Sequence, residues 1–326
     1  MVDTIHIELD TESDLPTGSF DMPRLLNVID ISSEVTKRPS GLQCYIGKFR
    51  NFNITIVGNT IDINGSLTKY YKNNNLDFLS KEDISNALKM LSWELGINVE
   101  RGRLRRIDVA DNFFLSAPPQ KYIHAFIELP KARPGHPHRT GKYFHRSNTT
   151  AYVYDKAEEL KRKDEPTYHR LMNAHSAANL LRFEVRYQSQ LPALFKIKSV
   201  KVALLHSSSF LKKLADGWLK HYNLILKAHL VECDAIKNPG LFKRLLMCKG
   251  IFAFDSQSLV NNLNVIDSLI NDLHDINQWE YHVTYRLKTF VRRLLSDPTL
   301  TIESPLIREL DDAIENSNIV KSFVNN

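Results

Sequence analysis

The sequence predicts an α+β protein, with an antiparallel sheet in the first part of the chain and a mainly helical second part. Three observations carry this. Residues 42–71 alternate apolar and polar side chains in short runs separated by Asn/Gly pairs. Beyond 193, apolar residues recur at helical spacing. The change of character falls at Leu191-Pro192, which divides the chain into 1–192 and 193–326.

Taken in order, residues 4–9 alternate, with Ile5, Ile7 and Leu9 on one face and His6 and Glu8 on the other, and read as a strand. Residues 10–41 are polar, with room for one short element at 25–31. Strands follow at 42–50 and 52–57. Gly58-Asn59 is a hairpin signal answered by a strand at 60–63, and Asn64-Gly65 is a second such signal before 66–71. Ser80-Lys81-Glu82-Asp83 resembles a capping box ahead of Ile84, Leu88, Leu91 and Leu95, and Gly96 stops that helix. Residues 104–110 read as a strand. Pro118-Pro119 opens a helix with Tyr122, Ile123, Phe126 and Ile127 on one face. After a basic loop at 130–141, a hairpin of 142–145 and 150–154 turns at Ser147-Asn148. Charged helices cover 158–163 and 168–178, and 180–187 is the last strand. Helices are then expected at 210–226, 239–247, 259–273, 279–295 and 304–314.

Hydrophobic content of 43% and charged content of 25% are those of a globular protein with a real core. The formal net charge of +6 is unevenly spread. Residues 131–146 hold Lys131, Arg133, Arg139, Lys142 and Arg146 with three histidines and no acid, which suits a polyanion partner. The three cysteines, Cys44, Cys233 and Cys248, are odd in number and lack metal-knuckle spacing, as expected in a reducing compartment. The N-terminal residues do not read as a signal peptide and no run is long enough to span a bilayer. A cytoplasmic protein without a membrane partner is expected.

Two predicted strands carry an acid beside arginines: Arg106 and Asp108 on one, and Arg182, Glu184 and Arg186 on the other. Alternation places each set on a single strand face. Paired carboxylates can hold a hard divalent cation, which polarises a phosphate oxygen. The stretch 149–160 runs from an alternating strand into a charged helix, with Tyr152 and Tyr154 just before the change and Lys156 just after it. A tyrosine hydroxyl there can attack phosphorus and form a covalent intermediate, with Lys156 lowering the phenol pKa or screening the phosphate. Each feature also has a structural reading. Alternating charges make cross-strand ion pairs. A tyrosine at a strand end is often an amphipathic core residue. His136-Pro137-His138 reads as a solvated loop rather than a metal pair.

These segments, in this order, resemble the replication initiators of the filamentous-phage gene II/X family. The resemblance rests on Met1-Val2-Asp3, on Arg106-Ile107-Asp108 followed by Ala117-Pro118-Pro119, on Tyr154-Asp155-Lys156, and on Arg182-Phe183-Glu184-Val185-Arg186. It covers about residues 1–190. It implies a rolling-circle initiator, with an antiparallel-sheet nicking domain followed by the helical region. Tyr154 would attack one strand at an origin and hold the 5′ phosphate, with Lys156 as its positive neighbour. The freed 3′ hydroxyl would prime synthesis, and a later transesterification would close the displaced strand. Asp108 and Glu184, with Asp3 as a further candidate, would hold Mg²⁺ or Mn²⁺. The partners implied are origin DNA and the polymerase and helicase of a bacterial host. Broader rolling-circle nucleases use a His-hydrophobic-His metal pair, which this chain lacks, so an all-carboxylate site is expected.

Candidate phosphate contacts are Arg106, Arg139, Lys142, Arg146, Lys161, Arg162, Arg182 and Arg186, and Tyr143 and Phe144 are candidates for stacking on unpaired bases. The alternative function is a DNA-binding regulator of replication on the same fold that does not cut. A tyrosine recombinase is disfavoured, because Tyr154 lies mid-chain beside strands rather than near the end of a helical domain.

Overall fold

The protein is seen in a computed structural model, which describes residues 1–16, 20–37, 41–134, 140–174, 179–227, 230–231, 266–267, 270–271, 275, 281–295, 301–302 and 304–325. Among these residues the centre is a ten-stranded sheet whose neighbouring strands all run antiparallel. Its middle strand is β1 (Val2–Asp10), where Ile5, Ile7 and Leu9 are fully buried, as the alternation predicts. To one side of β1 lie β5 (Thr60–Ser66), β4 (Phe52–Val57), β3 (Leu42–Phe49) and the edge strand β2 (Asp30–Lys37). To the other lie β6 (Arg103–Phe114), β11 (Leu180–Gln188), β10 (Thr149–Asp155), β9 (Gly141–His145) and β8 (Arg133–Pro134). Strand β7 (Phe126–Glu128) stands apart and pairs with Leu226–Lys227. The helices up to residue 224 are α1 (Met22–Val28), α2 (Leu67–Lys72), α3 (Lys81–Leu95), α4 (Pro119–Ala125), α5 (Lys156–Lys163), α6 (Glu165–Ala174), α7 (Leu191–Phe195) and α8 (Ser208–Leu224).

One face of the sheet is the core face. Ile107, Val109 and Phe113 of β6, Leu181, Phe183 and Val185 of β11, and Ala151 and Val153 of β10 all point into it. Helix α3 adds Ile84, Ala87, Leu88, Leu91 and Leu95, all fully buried; each large apolar side chain taken from water in this way is worth roughly 1.5–3 kcal/mol. The capping box is present, with Ser80 and Asp83 bonding each other's backbone, and Gly96 ends the helix at φ 68°. Helix α8 lays Trp218 against Phe113 and Phe183, at ring separations of 6.4 and 5.3 Å. The helix Pro305–Glu315 adds Leu310 and Ile314 to the same hydrophobic cluster. Residues on both sides of position 192 therefore share one core.

Several expectations need correction. Strand β2 lies in the stretch 10–41, where the sequence predicts mostly irregular structure. It is an edge strand, exposed along most of its length, so it lacks apolar alternation. Asn64-Gly65 is not a hairpin turn, because β5 runs through it. Gly65 is needed for close approach, since a Cβ there would lie 2.6 Å from the Phe52 ring. Residues 67–72 are helix α2 rather than strand, begun by the Ser66 hydroxyl, which accepts from the Lys69 amide. The second part of the chain also contains short strands, Leu226–Lys227, Leu230–Val231 and Thr301–Ile302. The expected helix at 239–247 and most of that at 259–273 lie outside the described residues, as do His136, His138 and Arg139.

Candidate active site

The face of β6, β11 and β10 away from the core carries polar residues, and the register sets which of them meet. Asp108 lies opposite Arg186 across β6 and β11, while Glu184 lies opposite Ala110 on one side and Tyr152 on the other. Tyr154 lies opposite Arg182. Asp3 joins the same face through an irregularity in β1. Val2 and Ile5 both point to the core although they are three residues apart, which a regular strand does not allow. The break between them leaves Asp3 on the other face, where Ser66 Oγ donates to its Oδ1 at 2.6 Å. Asp3, Asp108, Glu184, Tyr152 and Tyr154 thus line one cavity of ≈ 360 Å³.

The strand-to-helix junction holds the tyrosine in place. Asp155 caps α5, accepting from the Glu158 amide at 2.9 Å, and Gln120 Nε2 donates to its other oxygen at 2.8 Å. Tyr154 is therefore the last strand residue pointing into the cavity. Its ring stacks on Tyr152 (centroids 4.3 Å apart), which stacks on Tyr143 (3.7 Å), which in turn stacks on His145 (5.5 Å). Gly141 faces Tyr154 across β9 and β10. A Cβ there would lie 2.6 Å from Tyr154 Cβ and 2.7 Å from the Tyr152 ring, so only glycine leaves room for this stack. Alternation alone gave no sign of this requirement.

The carboxylates are held by arginines. Arg106 Nε donates to Asp108 Oδ1 at 2.8 Å, and a second contact from Arg106 reaches Oδ2. Arg186 bridges Asp108 Oδ2 and Glu184 Oε1, at 3.3 Å each. Arg182 donates to Asp3 Oδ2 at 2.5 Å, to the Asn75 carbonyl at 3.0 Å and to Asn112 Oδ1 at 3.1 Å. Its buried Nε has no hydrogen-bond partner among the described residues and lies 3.6 Å from Glu184 Oε2. Burial and then the charge of Asp108 push the Glu184 carboxyl up to about 7.

The two tyrosines differ. The Tyr152 hydroxyl is hydrogen-bonded to Tyr143. The Tyr154 hydroxyl has no hydrogen-bond partner among the described residues. Burial raises the Tyr154 phenol well above its usual value, and the neighbour acting in the opposite direction is Arg182. Lys156 lies beside Tyr154, as a positive neighbour, and is also committed to Glu159. It is almost wholly buried, its Nζ donates to Glu159 Oε2 at 2.5 Å, and it sits 5.9 Å from the Tyr154 ring centre. Glu159 also lines the cavity and receives Lys163 at 3.2 Å. Arg182 and Glu159 are thus the charged neighbours of the tyrosine that the motif spacing did not single out for these roles.

The remaining basic residues separate. Arg106 and Arg186 line the cavity, and Arg162 reaches it from the exposed face of α5, where Lys161 is exposed too. Lys142 is on the other strand face, donating to the Phe126 carbonyl at 2.5 Å, and burial lowers it to about 8. Arg146 donates to the Pro130 carbonyl at 2.5 Å.

A family model for the N-terminal part of a replication-associated protein, the gene II product, matches residues 1–206. The chain belongs to this filamentous-phage gene II replication-initiator family. The match spans the whole ten-stranded sheet and every residue of the cavity, and it ends just before α8. No curated protein and no solved structure matches the chain. The initiator's described residues contain no helix long and apolar enough to cross a membrane.

The donor set of Asp3, Asp108 and Glu184 consists of oxygen atoms alone, as a hard divalent cation requires. Among the described residues, no group of three or more acidic, histidine or cysteine side chains is arranged to hold a metal. The guanidinium of Arg186 instead lies between Asp108 and Glu184, acting as a cation between two crowded carboxylates. The pair therefore fits a cation in charge and donor type, provided that Arg186 gives way.

Proposed function

We propose that the protein starts rolling-circle replication by cutting one strand at an origin through Tyr154. The supporting observation is that the Tyr154 hydroxyl, without a hydrogen-bond partner among the described residues, lies in the same cavity as Asp108 and Glu184, directly across the strand pair from Arg182. The Tyr154 oxygen attacks phosphorus and the bond from phosphorus to the 3′ oxygen breaks. The phenolic proton ends on that oxygen, giving a 5′-phosphotyrosine and a free 3′ hydroxyl. Arg182 favours the anionic phenol, and Arg162 and Lys163 at the rim bind the strand's phosphates. Mg²⁺ or Mn²⁺ bound by Asp108 and Glu184 would stabilise charge on the phosphate oxygens. The reverse attack, by a 3′ hydroxyl on the phosphotyrosine, rejoins the displaced strand.

The test is incubation with supercoiled origin DNA and Mg²⁺ or Mn²⁺. Relaxed circles and a 5′-linked adduct are expected. A Tyr154→Phe protein that still forms the adduct sinks the assignment. One observation favours the second reading, a DNA-binding regulator that does not cut: all three carboxylates already have arginine partners. That reading predicts origin binding without relaxation at any metal concentration.

A further inference from the structure

Two arginines of β11 share the polar face of the sheet, and they are held differently. Arg182 is enclosed, with its side chain 3% exposed and its donors on Asp3, the Asn75 carbonyl and Asn112. The Arg186 side chain is 29% exposed, and its guanidinium bonds Asp108 Oδ2 and Glu184 Oε1, each at 3.3 Å. A charge-assisted bond in good geometry closes to about 2.7–2.9 Å. Arg106 reaches that range on Asp108 Oδ1, at 2.8 Å. The other Glu184 oxygen, Oε2, has Arg182 Nε at 3.6 Å, outside hydrogen-bond reach. That Nε is itself buried without a hydrogen-bond partner among the described residues. One partly exposed guanidinium therefore spans two crowded carboxylates through long contacts.

We propose that Arg186 is a displaceable stand-in for the divalent cation. It neutralises Asp108 and Glu184 until Mg²⁺ or Mn²⁺ takes its place, and it then contacts a phosphate of the bound strand. The inference rests on the reading in which these two carboxylates hold a metal. A metal ion and the guanidinium compete for the same two oxygens and repel each other, so they exclude one another there. Arg186 is the arginine able to leave. Its contacts are long, it reaches solvent, and it lines the cavity in which the strand would react. Arg182 stays, because its partners come from β1, from β6 and from the Asn75 backbone. Once released, the planar fork of Arg186 suits a phosphate as well as it suited the carboxylates. Metal binding thus adds a phosphate contact, and metal and DNA each tighten the binding of the other.

The test measures equilibrium binding in a Tyr154→Phe background, where no cleavage occurs. Mn²⁺ is titrated without DNA, and free Mn²⁺ is read from its paramagnetic resonance signal. Arg186→Gln removes the competitor and is expected to tighten Mn²⁺ about 10-fold, the scale of losing one hydrogen-bonded charge. Arg186→Lys keeps a single charge and should fall between the two. The Gln variant should melt below the parent without metal and recover with Mn²⁺, which separates loss of the ion pair from failure to fold. Origin DNA is then titrated at several salt concentrations. With Mn²⁺ present, Arg186→Gln should lower the salt slope by about one, as for one lost phosphate contact. Without metal the two slopes should agree. Unchanged or weaker Mn²⁺ binding in both variants overturns the proposal and makes Arg186 a fixed ion-pair partner. Equal salt slopes with Mn²⁺ overturn its phosphate contact. No Mn²⁺ binding in any of the proteins removes the metal reading and this inference together. Because none of these measurements uses the Tyr154 hydroxyl, failure here leaves the nicking assignment standing, and failure of nicking leaves the Mn²⁺ result interpretable.

Discussion

Tyr154 faces Arg182 across β10 and β11, and the guanidinium is the neighbouring charge that opposes the effect of burial on the phenol. Arg182 also holds Asp3. Arg182→Gln is expected to leave buried carboxylates without their partner and to cost about 3–5 kcal/mol of stability. Arg182→Lys retains the charge, loses the forked donors, and should recover part of the adduct rate as well as part of the stability. Thermal melting and single-turnover adduct formation measure the two effects. If Lys restores stability but not rate, the guanidinium acts on the reaction directly. If neither variant alters the adduct rate, Arg182 is structural only.

The two stacked tyrosines should separate on mutation. Tyr154→Phe removes the attacking oxygen and abolishes the adduct. Tyr152→Phe removes only a hydrogen bond to Tyr143, worth about 0.5–1.5 kcal/mol, and should keep adduct formation within about tenfold. Peptide mapping of the adduct decides between them, and label recovered on Tyr152 would reverse the ranking.

Asp108 and Glu184 are predicted to act through a cation. Asp108→Asn and Glu184→Gln should each raise the Mg²⁺ or Mn²⁺ concentration needed for half-maximal nicking and lower the rate by about 100-fold or more, the scale of losing several kcal/mol of charge stabilisation. Full nicking activity in both variants, at unchanged metal concentration, would remove the cation from the mechanism.

Glu184 should leave a pH signature on stability in metal-free buffer. Burial and Asp108 raise its folded pKa from 4.5 to about 7. Below 4.5 both folded and unfolded states bind the proton, so it contributes no difference. Between 4.5 and 7 only the folded state retains it, and stability falls as pH rises, by on the order of 1 kcal/mol per pH unit. Glu184→Gln should flatten that slope. Denaturant titrations at several pH values measure it, and equal slopes in both proteins count against a raised pKa.

Gly141→Ala tests the space that the tyrosine stack requires. The added methyl meets Tyr154 Cβ, the Tyr152 ring and the Val153 carbonyl within 2.7 Å, with backbone on both sides unable to move. Overpacking of this kind costs about 1–3 kcal/mol, and the displaced Tyr154 should lose adduct rate even below the melting temperature. A variant with wild-type melting and wild-type rate would mean that the stack has room to spare.

Much of this architecture follows from local rules that operate on neighbouring residues. Period-two alternation marks β1, β6, β10 and β11, the Ser80–Asp83 box and Gly96 delimit α3, and Asp155 caps the helix after Tyr154. Alternation also places Arg182, Glu184 and Arg186 on one face, as found. Local rules fail where contacts between distant residues override propensity. Asn64-Gly65 stays in a strand because Phe52 needs the space beside Gly65, and β2 carries no alternation because it forms an edge.

The sequence by itself determined which side chains share a strand face, because that depends only on the pleat. The tertiary structure decided which faces meet and at what offset. Register set Tyr154 across from Arg182, and the break in β1 turned Asp3 into the cavity. Lys156 follows Tyr154 by two residues, yet the helix that starts there turns it toward Glu159. Arg182 is far from Tyr154 in sequence and close to it in the fold because strand pairing is settled by burial of the core face. The polar face is carried along with it.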